Sequence, residues 1–413
     1  MFGLVAGCVI AIVAAGGQKT TSGPASFKSV TFEAERCDIF GGQVASVKDA
    51  SKGQAVLLDK AGDGRDETVV GCQDGTMQVV GTDGKAAWSH EFAAKINDIC
   101  TSDLNGDGVQ EVIAGVEDEH IYAVKTGGTL LWSHRFEPYK HTPAHVRVVH
   151  AADFDRDGTP EVAVGCANSY FFVLDNRGKL RIDKDGARWE TKTYHQASAI
   201  GSADVDGDKH LELLCGCTYF ARYIVSFHKR RWLRTNALRG CISGCGSIAT
   251  ADVDGDGHAE AIFADKDGRI AAAEKGEPYK AEVLWERFIG DDDITRVLSD
   301  DLDRDGRPDL LAASRSGFLA RLSASDGKIA WLQYGQSDMT DAGAADLIGD
   351  ARREAAACNL DGYIYVYDSA GKLVARRFLG GPVTNVGVVG VGGGAKPLVV
   401  GAAGSDLVAI RCR

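Results

Sequence analysis

Acidic and amide side chains recur at a fixed short spacing in five segments of the sequence. Each segment carries an oxygen ligand at positions one, three, five and nine of a nine-residue loop. Side chains at alternate positions of a tight loop can converge on one point, and such hard oxygen ligands favour calcium. The sequence therefore predicts about five structural Ca2+ sites, formed by Asp103, Asn105, Asp107 and Glu111; by Asp153, Asp155, Asp157 and Glu161; by Asp204, Asp206, Asp208 and Glu212; by Asp252, Asp254, Asp256 and Glu260; and by Asp301, Asp303, Asp305 and Asp309.

Position six of these loops is glycine in four of the five segments, which permits a left-handed turn. Lys209 stands there in the third segment and predicts local strain. Two further loops, which begin at Asp59 and Asp346, have Ala61 and Ile348 at position three, so we expect weak calcium binding there or none. The flanking helices and the position-twelve acid of an EF-hand are missing from the pattern.

The loops belong to a longer repeat. Counting a last copy at Gly390 that has lost its acids, eight units begin 44 to 51 residues apart. Each unit reads as short strands separated by Gly and Asp turns, and four antiparallel strands in such a period are typical of a propeller blade. The sequence predicts an all-β chain, an eight-bladed β-propeller of four-stranded antiparallel blades, that extends over residues 26–413.

The eighth unit offers three strands before the sequence ends, and one strand at residues 27–40 precedes the first unit. We expect this N-terminal strand to complete the last blade, which removes an open sheet edge. That closure would bring Cys37 and Cys412 onto neighbouring strands, so a disulfide between them is a hypothesis. Cys241 and Cys245 could form a second, local disulfide, and the other cysteines are expected to be small buried hydrophobic residues.

The net charge of −12 and the pI near 5.3 argue against nucleic acid as a partner. Residues 1–25 contain an apolar run followed by small residues, which predicts a secretory signal or a disordered leader and no membrane span. We therefore expect a secreted, periplasmic or cell-surface protein, and a monomer.

The acidic loops resemble the FG-GAP/VCBS repeats of integrin α-subunit propellers and of many exported bacterial proteins. That resemblance covers residues 45 to 413 and implies a calcium-containing propeller. The Gly-turn-Trp segments that end in Trp88, Trp132 and Trp331 resemble quinoprotein-type repeats, in which the tryptophan packs between blades. Residues 33 to 60 resemble the opening of β-sandwich carbohydrate-binding modules, which favours a polysaccharide context.

A ligand is expected at the face opposite the calcium loops, where the linkers between blades gather around the channel. These linkers are rich in aromatic and charged residues, and the candidates for the ligand rim are Tyr139, His141, His145, Arg147, Tyr194, His195, Arg239, Asp291, Asp292, Asp293, Arg296, Tyr334 and Asp338. A rim of this kind suits a carbohydrate or a protein ligand.

Three functions remain open at this point. The first is a non-catalytic binding or scaffold protein. The second is a polysaccharide lyase, because eight-bladed propellers of this repeat type occur among rhamnogalacturonan lyases; His141, His145, Tyr194 or His195 would then serve as the base. The third is a quinoprotein-like redox enzyme, although the cofactor loops of those enzymes are not recognisable here.

Overall fold

The computed structural model describes residues 10–12, 44–46, 53–59, 66–72, 74–81, 86–229, 231–234, 243–275, 281–389, 396–403 and 406–411. Every regular element in these ranges is a β-strand. Among the described residues, no helix is long and apolar enough to cross a membrane.

The strands form eight sheets, which confirms the predicted eight-bladed propeller. The first four blades contain β3 (Gly53–Asp59), β4 (Asp66–Gly71), β5 (Thr76–Val80) and β6 (Ala86–Glu91); β7 (Ile96–Ser102), β8 (Glu111–Val116), β9 (His120–Val124) and β10 (Leu130–Arg135); β11 (Val146–Ala152), β12 (Glu161–Cys166), β13 (Tyr170–Leu174) and β14 (Glu190–Lys192); and β15 (Ala197–Ala203), β16 (Glu212–Cys217), β17 (Arg222–Ser226) and β18 (Arg231–Arg234).

The other four blades contain β19 (Cys245–Ala251), β20 (Glu260–Asp265), β21 (Arg269–Lys275) and β22 (Ala281–Phe288); β23 (Ile294–Asp300), β24 (Asp309–Ser314), β25 (Phe318–Ser323) and β26 (Ile329–Tyr334); β27 (Met339–Ala345), β28 (Glu354–Asn359), β29 (Tyr363–Tyr367) and β30 (Leu373–Phe378); and β31 (Val383–Val389), β32 (Leu398–Ala403), β33 (Asp406–Arg411) and β2 (Val44–Ser46). Within each blade the neighbouring strands are antiparallel.

An N-terminal strand closes the last blade, because β2 pairs with β33 as the outer strand of blade 8. The strand that takes this place is Val44–Ser46, whereas the predicted segment 27–40 lies outside the described residues. A second short strand, β1 (Ile10–Ile12), pairs with β3 in blade 1. Cys37, Cys241 and Cys412 also lie outside the described residues, so the two proposed disulfides stay predictions.

Burial explains the sequence pattern of the blades. The second strand is buried along its whole length in blades 2 to 8, as in β8 with the sequence EVIAGV, because it is covered by both neighbouring blades. The fourth strand alternates between exposed and partly buried residues, as in β10 and β26, because it forms the perimeter. The described cysteines are buried, as expected of small hydrophobic residues.

Side chains of the first strands join neighbouring blades around the channel. In five blades the second residue of this strand donates a hydrogen bond to the carbonyl of the first residue in the next blade's first strand. The pairs are Asn97–Val146 (2.8 Å), Arg147–Ala197 (2.9 Å), Ser198–Cys245 (2.7 Å), Thr295–Met339 (2.8 Å) and Thr340–Val383 (2.8 Å).

Tryptophans on the fourth strands join the blades at the perimeter. The indole N–H groups of Trp132, Trp285 and Trp331 donate to backbone carbonyls of the following blade at 2.8 to 3.0 Å. Each ring also lies against a left-handed glycine of that blade, such as Gly327 beside Trp285. The inter-blade packing expected of Trp132 and Trp331 is therefore present, and Trp285 adds a third case.

Candidate ligand-binding cleft and acidic loops

The acidic loops join the first and second strands of their blades, so they share one face of the propeller. In four loops, three carboxylates have oxygens that all lie within 4.8 Å of one another. These groups are Asp153, Asp155 and Glu161; Asp204, Asp206 and Asp208; Asp252, Asp254 and Glu260; and Asp301, Asp303 and Asp309. The predicted convergence of the side chains is thus present in the fold.

The acid at position nine closes each loop. One carboxylate oxygen accepts the N–H of position two, as in Glu111 with Leu104 (2.9 Å) and Glu260 with Val253 (2.7 Å). Burial raises the pKa of Glu212 to about 8 and that of Glu161 to about 7. A nearby cation would favour the charged form of these buried carboxylates and lower their pKa.

The backbone is left-handed at the same positions of each loop. Lys209 at position six has a φ of 73°, as its place in the pattern predicted. Position four is left-handed as well, and it holds Arg156 (φ 59°) and Arg304 (φ 63°) in two of the loops. The sequence reasoning missed this second left-handed position, because arginine is not a residue that favours it.

Three of the five loops contain a cation from their own blade. Arg181 pairs with Asp155 and Glu161 in blade 3, and Arg321 pairs with Asp303 and Asp309 in blade 6. In blade 4 the Nζ atom of Lys229 lies 2.5 Å from Asp206 and 2.7 Å from Asp208. No motif marked these partners, since they come from a hairpin, a strand and a turn at different distances along the chain.

The loops of blades 2 and 5 differ, because none of their acids forms an ion pair with a basic side chain of the described residues. The blade 2 loop has three carboxylates and Asn105, whereas the blade 5 loop has four carboxylates. Glu274 at the end of the third strand adds a further acid. Its pKa is raised, first by burial and then by the charges of Asp254, Glu282 and Asp256. This loop therefore has the least compensated negative charge of the five.

The donor set fits a hard divalent cation. All four ligand positions carry oxygen, and buried oxygens of Asp155, Asp204, Asp303 and Glu212 have no hydrogen-bond partner among the described residues. Unpartnered buried carboxylate oxygens are costly unless a cation satisfies them. Calcium would neutralise the charge of these loops, which is a structural and not a catalytic role.

On the opposite face, where linkers and second-to-third-strand turns meet, the residues between blades 3 and 4 form a continuous cleft. One part has a volume of about 590 Å³ and the other of about 700 Å³, and they share Thr142, Ser169 and Tyr194. The first is lined by Thr142, Ala167, Ser169, Tyr194, His195, Gln196, Thr218, Tyr219, Ser243, Gly244 and Lys266. The second is lined by Tyr139, Lys140, Thr142, Asn168, Ser169, Lys192, Thr193, Tyr194 and Tyr223.

The chemistry of this cleft is aromatic and basic. Lys192 donates to the Tyr139 hydroxyl at 2.8 Å, and this hydrogen bond lowers the pKa of Tyr139. Tyr194 and Tyr219 are 73% and 57% exposed, so their rings are open to a ligand. The described lining residues include three lysines and no Asp or Glu, although the chain as a whole has a net charge of −12.

The structure brings Tyr139, Tyr194 and His195 of the predicted rim into this cleft. The ring of His195 lies 5.7 Å from that of Tyr219 in an edge-on contact. His141 is exposed on the same linker, whereas His145 is half-buried with its Nδ1 atom lacking a hydrogen-bond partner among the described residues. Sequence reasoning missed Lys192, Tyr219 and Lys266, which stand at strand ends and turns without a shared motif.

The other candidates lie elsewhere. Arg147 bonds to backbone between blades, Arg239 is outside the described residues, and Asp291, Asp292 and Asp293 surround Ser316 and Arg315 on blade 6. Tyr334 and the half-buried Asp338 belong to the blade 6 to blade 7 junction. Arg296 projects from the first strand β23 towards buried Asp341 (3.8 Å), so it belongs to the channel and not to the outer rim.

Comparison with known proteins gives one partial family match. Residues 68–214, or 147 of 413, match a family model described as the lambda-carrageenase β-propeller domain. No curated protein matches the chain. The chain is therefore similar to that family from the second strand of blade 1 to the second strand of blade 4.

Solved structures share the fold at low sequence identity. Sqt1 of Saccharomyces cerevisiae has a TM-score of 0.68 at 10% identity, with 94% of this chain and 100% of that chain covered. BamB from Moraxella catarrhalis has a TM-score of 0.55 at 12% identity, with 94% and 100% covered. BBS1N, solved in complex with ARL6DN, has a TM-score of 0.51 at 11% identity, with 94% and 98% covered. These likenesses show a propeller fold.

Proposed function

We propose that this protein is an exported, calcium-stabilised propeller that binds an anionic polysaccharide without cleaving it. The observation that carries the proposal is the cleft between blades 3 and 4, where three lysines and no acid accompany exposed tyrosines. Sugar rings present apolar faces that stack on aromatic side chains, while sulfate or carboxylate groups attract ammonium groups. The name of the matched family model denotes a carbohydrate-active enzyme, which supports a carbohydrate ligand.

Calcium has a structural place in this proposal. The acidic loops lie on the face away from the cleft, so the ions would hold the first and second strands of each blade together. The loop of blade 5 is the preferred site, because it has four carboxylates with Glu274 nearby and, among the described residues, lacks the internal cation that Arg181, Lys229 and Arg321 supply in blades 3, 4 and 6.

The direct experiment is affinity electrophoresis with lambda-carrageenan, polygalacturonate and uncharged dextran. We expect retardation by an anionic polymer, none by dextran, and loss of retardation in Tyr194→Ala. The comparison variant is Tyr367→Phe, whose ring lies 6.1 Å from Trp331 in the packing between blades 6 and 7, away from the cleft. Equal migration in all gels would refute the proposal.

The second candidate is an enzyme that cleaves the same polysaccharide. It is favoured by the hydrogen bond from Lys192, which lowers the pKa of Tyr139 and so raises the fraction of tyrosinate that could accept a proton at the cleft. Incubation with each anionic polymer, followed by measurement of new reducing ends and of ultraviolet absorption by unsaturated products, separates the two candidates. Product formation that disappears in Tyr139→Phe would establish the enzyme.

The solved complex of BBS1N with ARL6DN shows that a related fold can bind a protein. A protein ligand at the same cleft is therefore the alternative occupant. If the ligand is a protein, we expect that no polysaccharide competes with it for the cleft.

A further inference from the structure

The last residues of the fourth strands occupy equivalent positions around the cleft face. Lys192 pairs with Tyr170, Phe288 with Arg269, Tyr334 with Phe318, and Phe378 with Tyr363 in the same register between the third and fourth strands. Blades 1 and 2 place Glu91 and Arg135 at this position. The position is therefore charged in blades 1 to 3 and aromatic in blades 5 to 7.

The three aromatic residues, here called the aromatic arc, are Phe288, Tyr334 and Phe378. They are 53%, 60% and 52% exposed, which is unusual for three large rings at equivalent positions on one face. Each ring is supported from below. Phe318 lies 5.3 Å from Tyr334, Tyr363 lies 5.2 Å from Phe378, and the Arg269 guanidinium lies 5.0 Å from Phe288.

The arc and the cleft lie on the same face of the propeller, because Lys192 of the cleft wall stands at the same register position as the three rings. Its members are separated by polar and charged residues, including exposed Arg287, Asp291, Arg315 and Asp361. A protein interface has a contiguous apolar centre, which isolated rings do not provide. Rings that repeat from blade to blade fit a ligand whose apolar sugar faces also repeat.

We propose that the aromatic arc holds the continuation of the polysaccharide chain that enters the cleft, so that blades 3 to 7 bind a long polymer. This inference rests on the proposed function. It predicts that affinity rises with the length of the polymer, since the cleft alone accepts a short fragment and the arc contacts a long one.

The test compares the lambda-carrageenan polymer with a tetrasaccharide prepared from it, by calorimetry. The variant replaces the arc by Phe288→Ala, Tyr334→Ala and Phe378→Ala. The matched control replaces Leu284, Leu332 and Leu373 by Ala, because these leucines are 38%, 44% and 38% exposed on the same three strands and precede the arc positions in each of them. A third protein carries Leu at the three arc positions, and melting temperatures show that all variants fold.

We expect the Ala variant to lose about tenfold or more in affinity for the polymer, because each ring contact contributes modestly and the contacts add. Its affinity for the tetrasaccharide should not change, because the cleft alone accepts a short fragment. The Leu variant should lose as much affinity for the polymer, and the matched leucine control nothing. Unchanged polymer affinity in the Ala variant would overturn the inference and leave the cleft proposal standing. Full affinity of the Leu variant would also overturn it, since general apolar docking would then suffice. A wild-type protein that binds neither probe would refute the proposed function itself.

Discussion

The ammonium group of Lys192 lies 2.8 Å from the hydroxyl of Tyr139 and 3.9 Å from the centre of its ring, across the wall of the cleft. The two residues are 53 positions apart in the sequence and are brought together by the linker before blade 3 and the last strand of that blade. This contact fixes a positive charge beside a half-buried aromatic ring at the edge of the cleft. In the proposed function, recognition of an anionic sugar depends on that pairing.

The first prediction concerns this lysine. Lys192→Met should weaken binding of lambda-carrageenan about tenfold or more at low ionic strength, since a hydrogen bond to a charged group is lost. The loss should shrink as salt is added, because screening already weakens the wild-type contact. Lys192→Arg should restore most of the affinity. Lys328→Met, an exposed lysine on a turn of the acidic face, is the control and should change nothing.

The second prediction concerns calcium. Chelation should lower the melting temperature by several degrees, and Asp254→Asn should remove most of this dependence. Asp303→Asn at the same loop position should retain it, because Arg321 already pairs with that loop. The two variants are compared by thermal melts with calcium and with chelator. Equal calcium dependence in both variants would show that the internal cation does not matter.

The third prediction concerns inter-blade packing. Trp285→Phe should cost about 1 kcal/mol, because it removes the 2.8 Å hydrogen bond to the carbonyl of Ala324 and keeps most of the ring. Trp285→Ala should cost about 3 to 5 kcal/mol, as is usual for deletion of a buried aromatic side chain. Urea denaturation measures both values. A smaller loss for Ala than for Phe would contradict the packing role.

The fourth prediction concerns pH. Burial raises the pKa of Asp98 to about 8, above its value of about 4 in an unfolded chain. The folded state therefore binds a proton that the unfolded state has released, and the stability from this group falls as pH rises from about 4 to about 8.

Asp98→Asn removes that dependence. It should lower stability between pH 5 and pH 8, because an amide nitrogen cannot accept the N–H of Val149 as the Oδ2 oxygen of Asp98 does. The slope of unfolding free energy against pH should nevertheless become flatter than in the wild type. Denaturation between pH 5 and pH 8 measures the slope, and an unchanged or steeper slope in the variant would contradict the assignment.

The repeat pattern was sufficient to predict the blades, since loop spacing, strand alternation and the Gly-turn-Trp segments are local in sequence. The prediction that an N-terminal strand closes the last blade was also correct. The residues that form this strand, Val44–Ser46, depend on the distance that the chain must span to reach β33. Local patterns carry no such information about distance.

The residues that complete the sites were harder to predict. Arg181, Lys229 and Arg321 reach equivalent loops from unlike positions, and only the twist of each blade brings them there. Arg296 was expected at the rim because its segment is a linker in sequence, yet it lies within β23 and faces Asp341 on the first strand of the neighbouring blade. The cleft similarly combines turns from different blades, so Lys192 and Lys266 could not be grouped from spacing.

The most direct measurement of the central claim is hydrogen exchange of the full chain with and without lambda-carrageenan. The proposal predicts protection on the cleft face, in residues 139–142, 192–196 and 218–219, together with unchanged exchange in the acidic loops 103–111 and 252–260. Protection confined to the acidic loops, or none at all at saturating polymer, would contradict it.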